Sequence, residues 1–279
     1  MKVEKQFLAA FLDDLNRNRV ELPSLPEVAV QVRKLVNDPN AGARQIARVI
    51  GADPALTARL LKAANSPLYR GQDQIDNLQA AVTRLGAQQV RNLVTALVMQ
   101  QLYHARGTQL TRQRLKTLWA HSAKVAALSF VIARRFTSLL PDQAMLGGLI
   151  HDIGVLPILR RAESYPQLAN DPEALEEVIR HLHTIIGPYI LDEWNFPAEL
   201  VAVCSQHEDL WRSEGAAATY LDVVTVANLH SYVGTQHPLT KSDWSKVPAF
   251  TKLGLTPEQS LATLQAARDE LQELRGLFN

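Results

Sequence analysis

His151 and Asp152 stand together at the end of the apolar segment from Ala144 to Ile150, where a core helix would otherwise finish. An ionised Asp beside an imidazole, flanked by Ile150 and Ile153, is costly to desolvate unless a cation or several hydrogen bonds compensate it. A divalent metal would do both; an Asp capping the next turn beside a half-exposed His is the plainer alternative. Other ligand types fall on inward helix faces. His121 shares a face with Val125, Leu128 and Ile132, at offsets of four, seven and eleven residues. His183 aligns with Ile186, Gly187 and Ile190, His207 follows Leu200 and Val203, and Asn228 follows Leu221 and Val224. The same arithmetic turns His181 and His230 outward and leaves His104 and His237 in loops. Singly, each inward His reads as a core histidine; four of them with Asp152 suit zinc, iron, manganese or nickel. Periodicity permits that convergence without saying which helices are neighbours.

The elements that would position these residues are helical, since 3.6-residue apolar spacing dominates and strand alternation is almost absent. The fold class is therefore all-α. Asp53-Pro54 starts a helix that Asn65-Ser66-Pro67 stops, and Asp76 or Asn77 opens another that Gly86 closes. Val90, Leu93, Val94, Leu97 and Val98 mark an apolar face that runs to about Leu102, and a long helix follows from about Leu115 to Phe136. The segment from His104 to Thr108 is the expected joint between a smaller amino-terminal bundle, residues 1–106, and a second helical domain, residues 107–279. Gly234 to Leu255 is the longest irregular stretch, and the capping box Thr256/Gln259 predicts one last helix over 257–275.

Composition narrows the function. With 47% hydrophobic residues, 20% charged residues and a net charge of +1, bulk electrostatics argue for neither nucleic acid nor membrane as partner. The single Cys204 excludes an internal disulfide and fits a reducing, cytoplasmic setting. The first residues read as neither signal peptide nor membrane span, and no apolar run approaches the ~20 residues a bilayer crossing needs. Gly147-Gly148 reads as close helix packing rather than a phosphate loop. Cys204 and His207 could touch, but no third group orients them for nucleophilic work. Ile46 to Leu61 could form a helix-turn-helix with Arg44, Arg48, Arg59 and Lys62 near phosphates, although a solvated helix face explains the same residues.

The order His121-Ser122, His151-Asp152-Ile153-Gly154, His183 with Gly187, then His207-Glu208 resembles the HD superfamily of metal-dependent phosphohydrolases. More narrowly, the chain resembles the HDOD branch. That likeness rests on Leu22-Pro23-Ser24-Leu25-Pro26, Asp53-Pro54-Ala55-Leu56-Thr57, Asn65-Ser66-Pro67-Leu68-Tyr69 and Ala81-Val82-Thr83-Arg84-Leu85-Gly86, and spans roughly residues 20 to 235. The resemblance implies an HD-like multi-helix bundle behind the smaller front bundle, with His121, His151, Asp152, His183, His207 and Asn228 as the metal set. In an active member Asp152 would be catalytic, helping to orient the attacking hydroxide. Three departures weaken that set: Asn228 replaces the closing Asp, Val155 replaces a phosphate-binding Lys, and Gln206 replaces a further His.

The resulting expectation is a cytoplasmic bacterial signalling module that acts by binding protein partners around a partly eroded metal site. The alternative is a working metal-dependent phosphohydrolase with a phosphoester or nucleotide ligand. DNA binding through the Ile46 to Leu61 hairpin is the third reading.

Overall fold

Sixteen α-helices, two 3-10 turns and no strand make up the described residues of the computed structural model, which are 3–17, 19–69, 71, 73–104 and 107–278. Six helices precede the expected joint: α1 (Val3–Asn16), α2 (Glu27–Val36), α3 (Ala43–Ile50), α4 (Pro54–Ala64), α5 (Leu78–Leu85) and α6 (Ala87–Tyr103). They begin and end where side chains satisfy orphan backbone groups. Asp53 accepts from the Leu56 N–H at 3.0 Å with Pro54 in the first turn, and Asn77 accepts from the Ala80 N–H at 2.8 Å. Gly86, at φ 80°, separates α5 from α6 in a conformation that other residues rarely adopt. The joint's Ala105 and Arg106 lie outside the described residues.

Beyond it run α7 (Gln109–Phe136), α8 (Pro141–Ile150), α9 (Val155–Ala162), α10 (Pro166–Ala169), α11 (Pro172–Glu193), α12 (Ala198–Gln206) and α13 (Tyr220–Ser231). The long helix α7 starts two turns earlier than its apolar face suggests, because Thr108 caps it through the Thr111 N–H. Two 3-10 turns and α14 (Pro248–Lys252) occupy the stretch expected to be irregular. The expected single last helix is two, α15 (Pro257–Ala266) and α16 (Arg268–Gly276). The capping box at Thr256 is present, but Ala267 leaves helical geometry at ψ 20° and turns the chain.

The long α7 is the axis of the molecule and packs on α6, α8, α13, α15 and α16. In front, α6 packs on α2, α4, α5 and α8. Tyr69, from the Asn65–Tyr69 segment, donates its hydroxyl to the buried carboxylate of Asp142 on α8, tying the front helices to the back. The two ends cross over. Helix α1 lies on α10 and α11, with Phe7 edge-on to Tyr165 at 5.0 Å and Asp14 paired to Arg161 at 2.6 Å. At the other end, Arg59 on α4 donates to the Leu277 carbonyl at 2.9 Å. Arg59 also donates to the Leu97 carbonyl, so this member of the expected phosphate-facing set is engaged inside the fold. No helix among the described residues is long and apolar enough to cross a membrane.

Candidate metal centre

Helix α8 is buried on every side, and Gly148 lets it press against α7: a Cβ there would sit 2.9 Å from Ala126 Cα. The helix ends at His151, and the turn that follows carries Asp152 before α9 begins. Gly154 and Gly187 bring α11 equally close, while Gly187 meets Cys204 on α12. Cys204 donates its thiol to the Ile150 carbonyl at 3.2 Å and is fully buried, as a structural cysteine should be.

Five of the six expected ligands converge. Asp152 Oδ2 lies 3.2 Å from His151 Nε2 and 3.6 Å from His121 Nε2, and those two nitrogens are 3.2 Å apart. Its other oxygen, Oδ1, lies 3.2 Å from His207 Nε2 and 3.7 Å from His183 Nε2. Asp152 thus belongs to two trios of ligand-type atoms, one with His121 and His151 and one with His183 and His207, each within 4.8 Å. Glu208 stands behind the second trio, 3.9 Å from His183 Nε2. The polar contacts of Asn228, buried on α13, run instead to Ser231 Oγ at 3.5 Å and to the Tyr232 hydroxyl.

The hydrogen bonds fix which nitrogens face inward. His151 Nδ1 donates to the Gly148 carbonyl at 2.7 Å, His183 Nδ1 to Ile179 at 2.8 Å and His207 Nδ1 to Val203 at 3.1 Å. In the neutral ring each Nε2 is then the lone-pair nitrogen, the arrangement in which a backbone carbonyl orients a metal-binding histidine. His207 Nε2 is buried without a hydrogen bond of acceptable geometry, although Asp152 is close. Lone pairs gathered around a carboxylate are a donor set that fits a divalent cation.

Electrostatics favour the neutral ring at His121 and His183 but not at His207. Burial and the neighbouring His151 lower His121 to about 4, and burial lowers His183. Burial opposes ionisation of Asp152, yet His151 and His207 outweigh it and hold the carboxyl well below its usual range. Burial likewise works against a charged His207, but Asp152 reverses the balance and raises it.

A cleft of about 890 Å³ opens above the cluster, with His121, Asp152 and His183 in its floor. The walls come from α7, α9, α11 and the segment after α13, and carry Arg114, Arg180 and Glu176 along with aliphatic side chains. Two wall residues escaped the periodic reading. His237, left in a loop, stacks on Tyr232 at 3.6 Å, and Tyr232 in turn stacks on His121 at 5.1 Å. His181 is exposed, as its face requires. His230, expected outside, is buried and bonded to Ser260 Oγ at 2.7 Å, because α14 and α15 cover the face of α13 that helical arithmetic assigned to solvent.

Comparison with known proteins agrees with this architecture. The HDOD domain family model matches residues 22–210. A crystal structure from Shewanella amazonensis SB2B, bearing the name "Putative metal-dependent phosphohydrolase", is 30% identical, covers 100% of both chains and superposes with a TM-score of 0.84. An HDOD domain protein of unknown function from Geobacter sulfurreducens is 23% identical over 99% of this chain and 97% of its own, with a TM-score of 0.70. An uncharacterised protein of Treponema pallidum is 23% identical over 223 residues; the match takes in 75% of this chain but 42% of that relative's length.

Proposed function

The chain belongs to the HDOD domain family, whose model matches residues 22–210, and we propose that its centre holds one or two divalent metals and hydrolyses a phosphoester bound in the cleft. One observation carries this reading: the two carboxylate oxygens of Asp152 each face a different pair of histidine Nε2 atoms. Asp152 with His121 and His151, and Asp152 with His183 and His207, are the residues that would hold divalent metal, as a carboxylate with imidazole nitrogens suits such ions. Bound there, divalent metal supplies Lewis-acid polarisation of a phosphoryl oxygen and lowers the pKa of water. The protein's share is to hold Asp152 ionised, keep the Nε2 lone pairs inward through their Nδ1 hydrogen bonds, and leave one side of the floor open to the cleft. In hydrolysis a water oxygen bonds to phosphorus, the ester P–O bond breaks, and the proton passes to the departing oxygen. In this reading Asp152 orients the attacking oxygen.

Elemental analysis after reloading with iron, manganese or zinc tests this directly. Stoichiometric metal in the wild type, its loss in Asp152→Ala, and metal-dependent turnover of phosphoesters support the reading. A reloaded protein that holds metal yet is inert toward mono- and diesters removes the hydrolytic half.

A second reading, a cytoplasmic regulatory module that works through protein partners, is favoured by Asn228. A neutral amide stands there, turned to Ser231 and Tyr232, where the HD pattern closes with a carboxylate. Retention of a protein partner by metal-free Asp152→Ala at wild-type affinity would support it.

A further inference from the structure

We infer that the cleft carries a second anion subsite at Arg114, and that the ligand of the metal centre is a phosphoester with another acidic group about 10 Å from the first. This rests on the metal-centre reading above and adds the ligand's shape to it.

The spacing comes from two helices that keep step. On α7, Arg114 precedes His121 by seven residues; on α11, Glu176 precedes His183 by seven. The two histidines meet at Asp152, and Arg114 Nη1 meets Glu176 Oε1 at 2.7 Å. At 1.5 Å rise per residue, seven residues put this ion pair about 10 Å along the cleft from the histidines. The cleft therefore has a floor of metal-ligand type and a charged rung two turns above it.

The rung is only partly satisfied. Arg114 has five N–H donors. One hydrogen bond, from Nη1, goes to Glu176, while Nε is buried without a partner among the described residues. The Nε/Nη2 edge is the planar fork that takes phosphate or carboxylate in bidentate fashion. An anion bound at Nη2 leaves the Nη1 bond to Glu176 in place. Arg180, one turn beyond Glu176 on α11, lines the same cleft and adds positive charge to the wall.

Between floor and rung the walls are apolar, through Leu118, Val155, Leu159 and Ile179. A lone phosphate leaves most of the roughly 890 Å³ unfilled, whereas drug-sized ligands fill pockets of about 300–1,000 Å³. The fitting ligand has an acidic group at each end and an apolar or flat body between.

Calorimetric titration of the metal-reloaded chain with alkane-α,ω-diol bisphosphates of graded length, against alkyl monophosphates of the same lengths, tests this. The bisphosphates should bind more tightly at a preferred length by roughly tenfold or more, the scale of hydrogen bonds to a charged group. Arg114→Gln should remove that gain while leaving metal content and monophosphate affinity unchanged. Glu176→Gln, which keeps the guanidinium, should preserve the gain. Equal affinity of mono- and bisphosphates at every length, or a gain that survives in Arg114→Gln, overturns the inference and leaves the metal reading standing. A chain that takes up no metal overturns both.

Discussion

Gly154 lies against the backbone of His183 so closely that a Cβ added to it would sit 2.2 Å from the His183 carbonyl oxygen and 2.8 Å from the Gly187 nitrogen. The absence of a side chain at one residue thus sets the approach of two elements. Asp152, two residues before Gly154, and the imidazole of His183 reach a common point because their backbones nearly touch.

Gly154→Ala should therefore cost stability through overpacking, about 1–3 kcal/mol or more, and should lower metal content along with it. Gly276→Ala, where an added Cβ meets nothing within 4 Å, is the control. Denaturant unfolding and elemental analysis of the two variants decide the matter; equal metal content in both would show that the contact does not position His183.

Metal uptake should release protons. Burial alone would lower His207, but Asp152 raises it, so the metal-free site keeps a proton on His207 to higher pH than a free histidine does. A cation needs that nitrogen deprotonated, so apparent affinity should fall as pH drops through the raised value. His121, held to about 4, stays neutral and adds nothing to this loss near neutral pH. Calorimetry in buffers of different ionisation enthalpy at about pH 7 reads the proton count; a binding enthalpy independent of the buffer would refute the assignment.

His230 makes the fold acid-sensitive on its own account. Buried and bonded to Ser260, it is lowered by desolvation to about 4 in the folded chain, against an ordinary value near 6.5 when unfolded. Between those values the unfolded chain holds a proton that the folded chain lacks, so acid favours unfolding. Its stabilisation is complete above about pH 6.5 and declines as pH falls toward 4, by on the order of 3 kcal/mol in all. Stability curves of wild type and His230→Gln across that window should converge as pH falls; parallel curves would remove the explanation.

Asp222 is fully buried at the start of α13 and faces Arg212 at 2.7 Å and Lys252 at 3.6 Å, while also taking the Thr219 N–H of its capping box at 2.9 Å. Asp222→Ala leaves two cations near an empty acceptor and a helix start without its reciprocal cap. The expected loss is about 3–5 kcal/mol, measured by denaturant unfolding, and a loss below 1 kcal/mol would mean that water replaces the carboxylate.

The candidate histidines at 121, 183 and 207 were legible because apolar residues mark one face of their helices, His121 over Val125 and Leu128 and His207 over Val203, whereas His151 stood out as a polar pair with Asp152 closing an apolar run. His230 was misread because α13 is buried from Tyr220 through Ser231, so its periodicity carries no information about which side meets solvent. Tyr232 and His237 stand after the last regular turn of α13, where no period assigns a side chain a direction. The divided last helix is a matter of context too, since no Gly or Pro interrupts residues 258–275. The Arg114–Glu176 rung joins helices far apart in sequence, and one helix alone shows only a charged residue on a mixed face.

The crossed termini govern the order in which this structure can be completed. Asp14 waits for Arg161, and Arg59 waits for the carbonyl of Leu277, 218 residues away. A ribosome delivering the chain from its amino end can assemble helices α2 to α6 early, but α10 and α11, on which α1 packs, emerge much later. Closure by such distant partners favours slow, cooperative folding, and it binds the metal-type centre, midway along the chain, into a unit whose two ends fasten last.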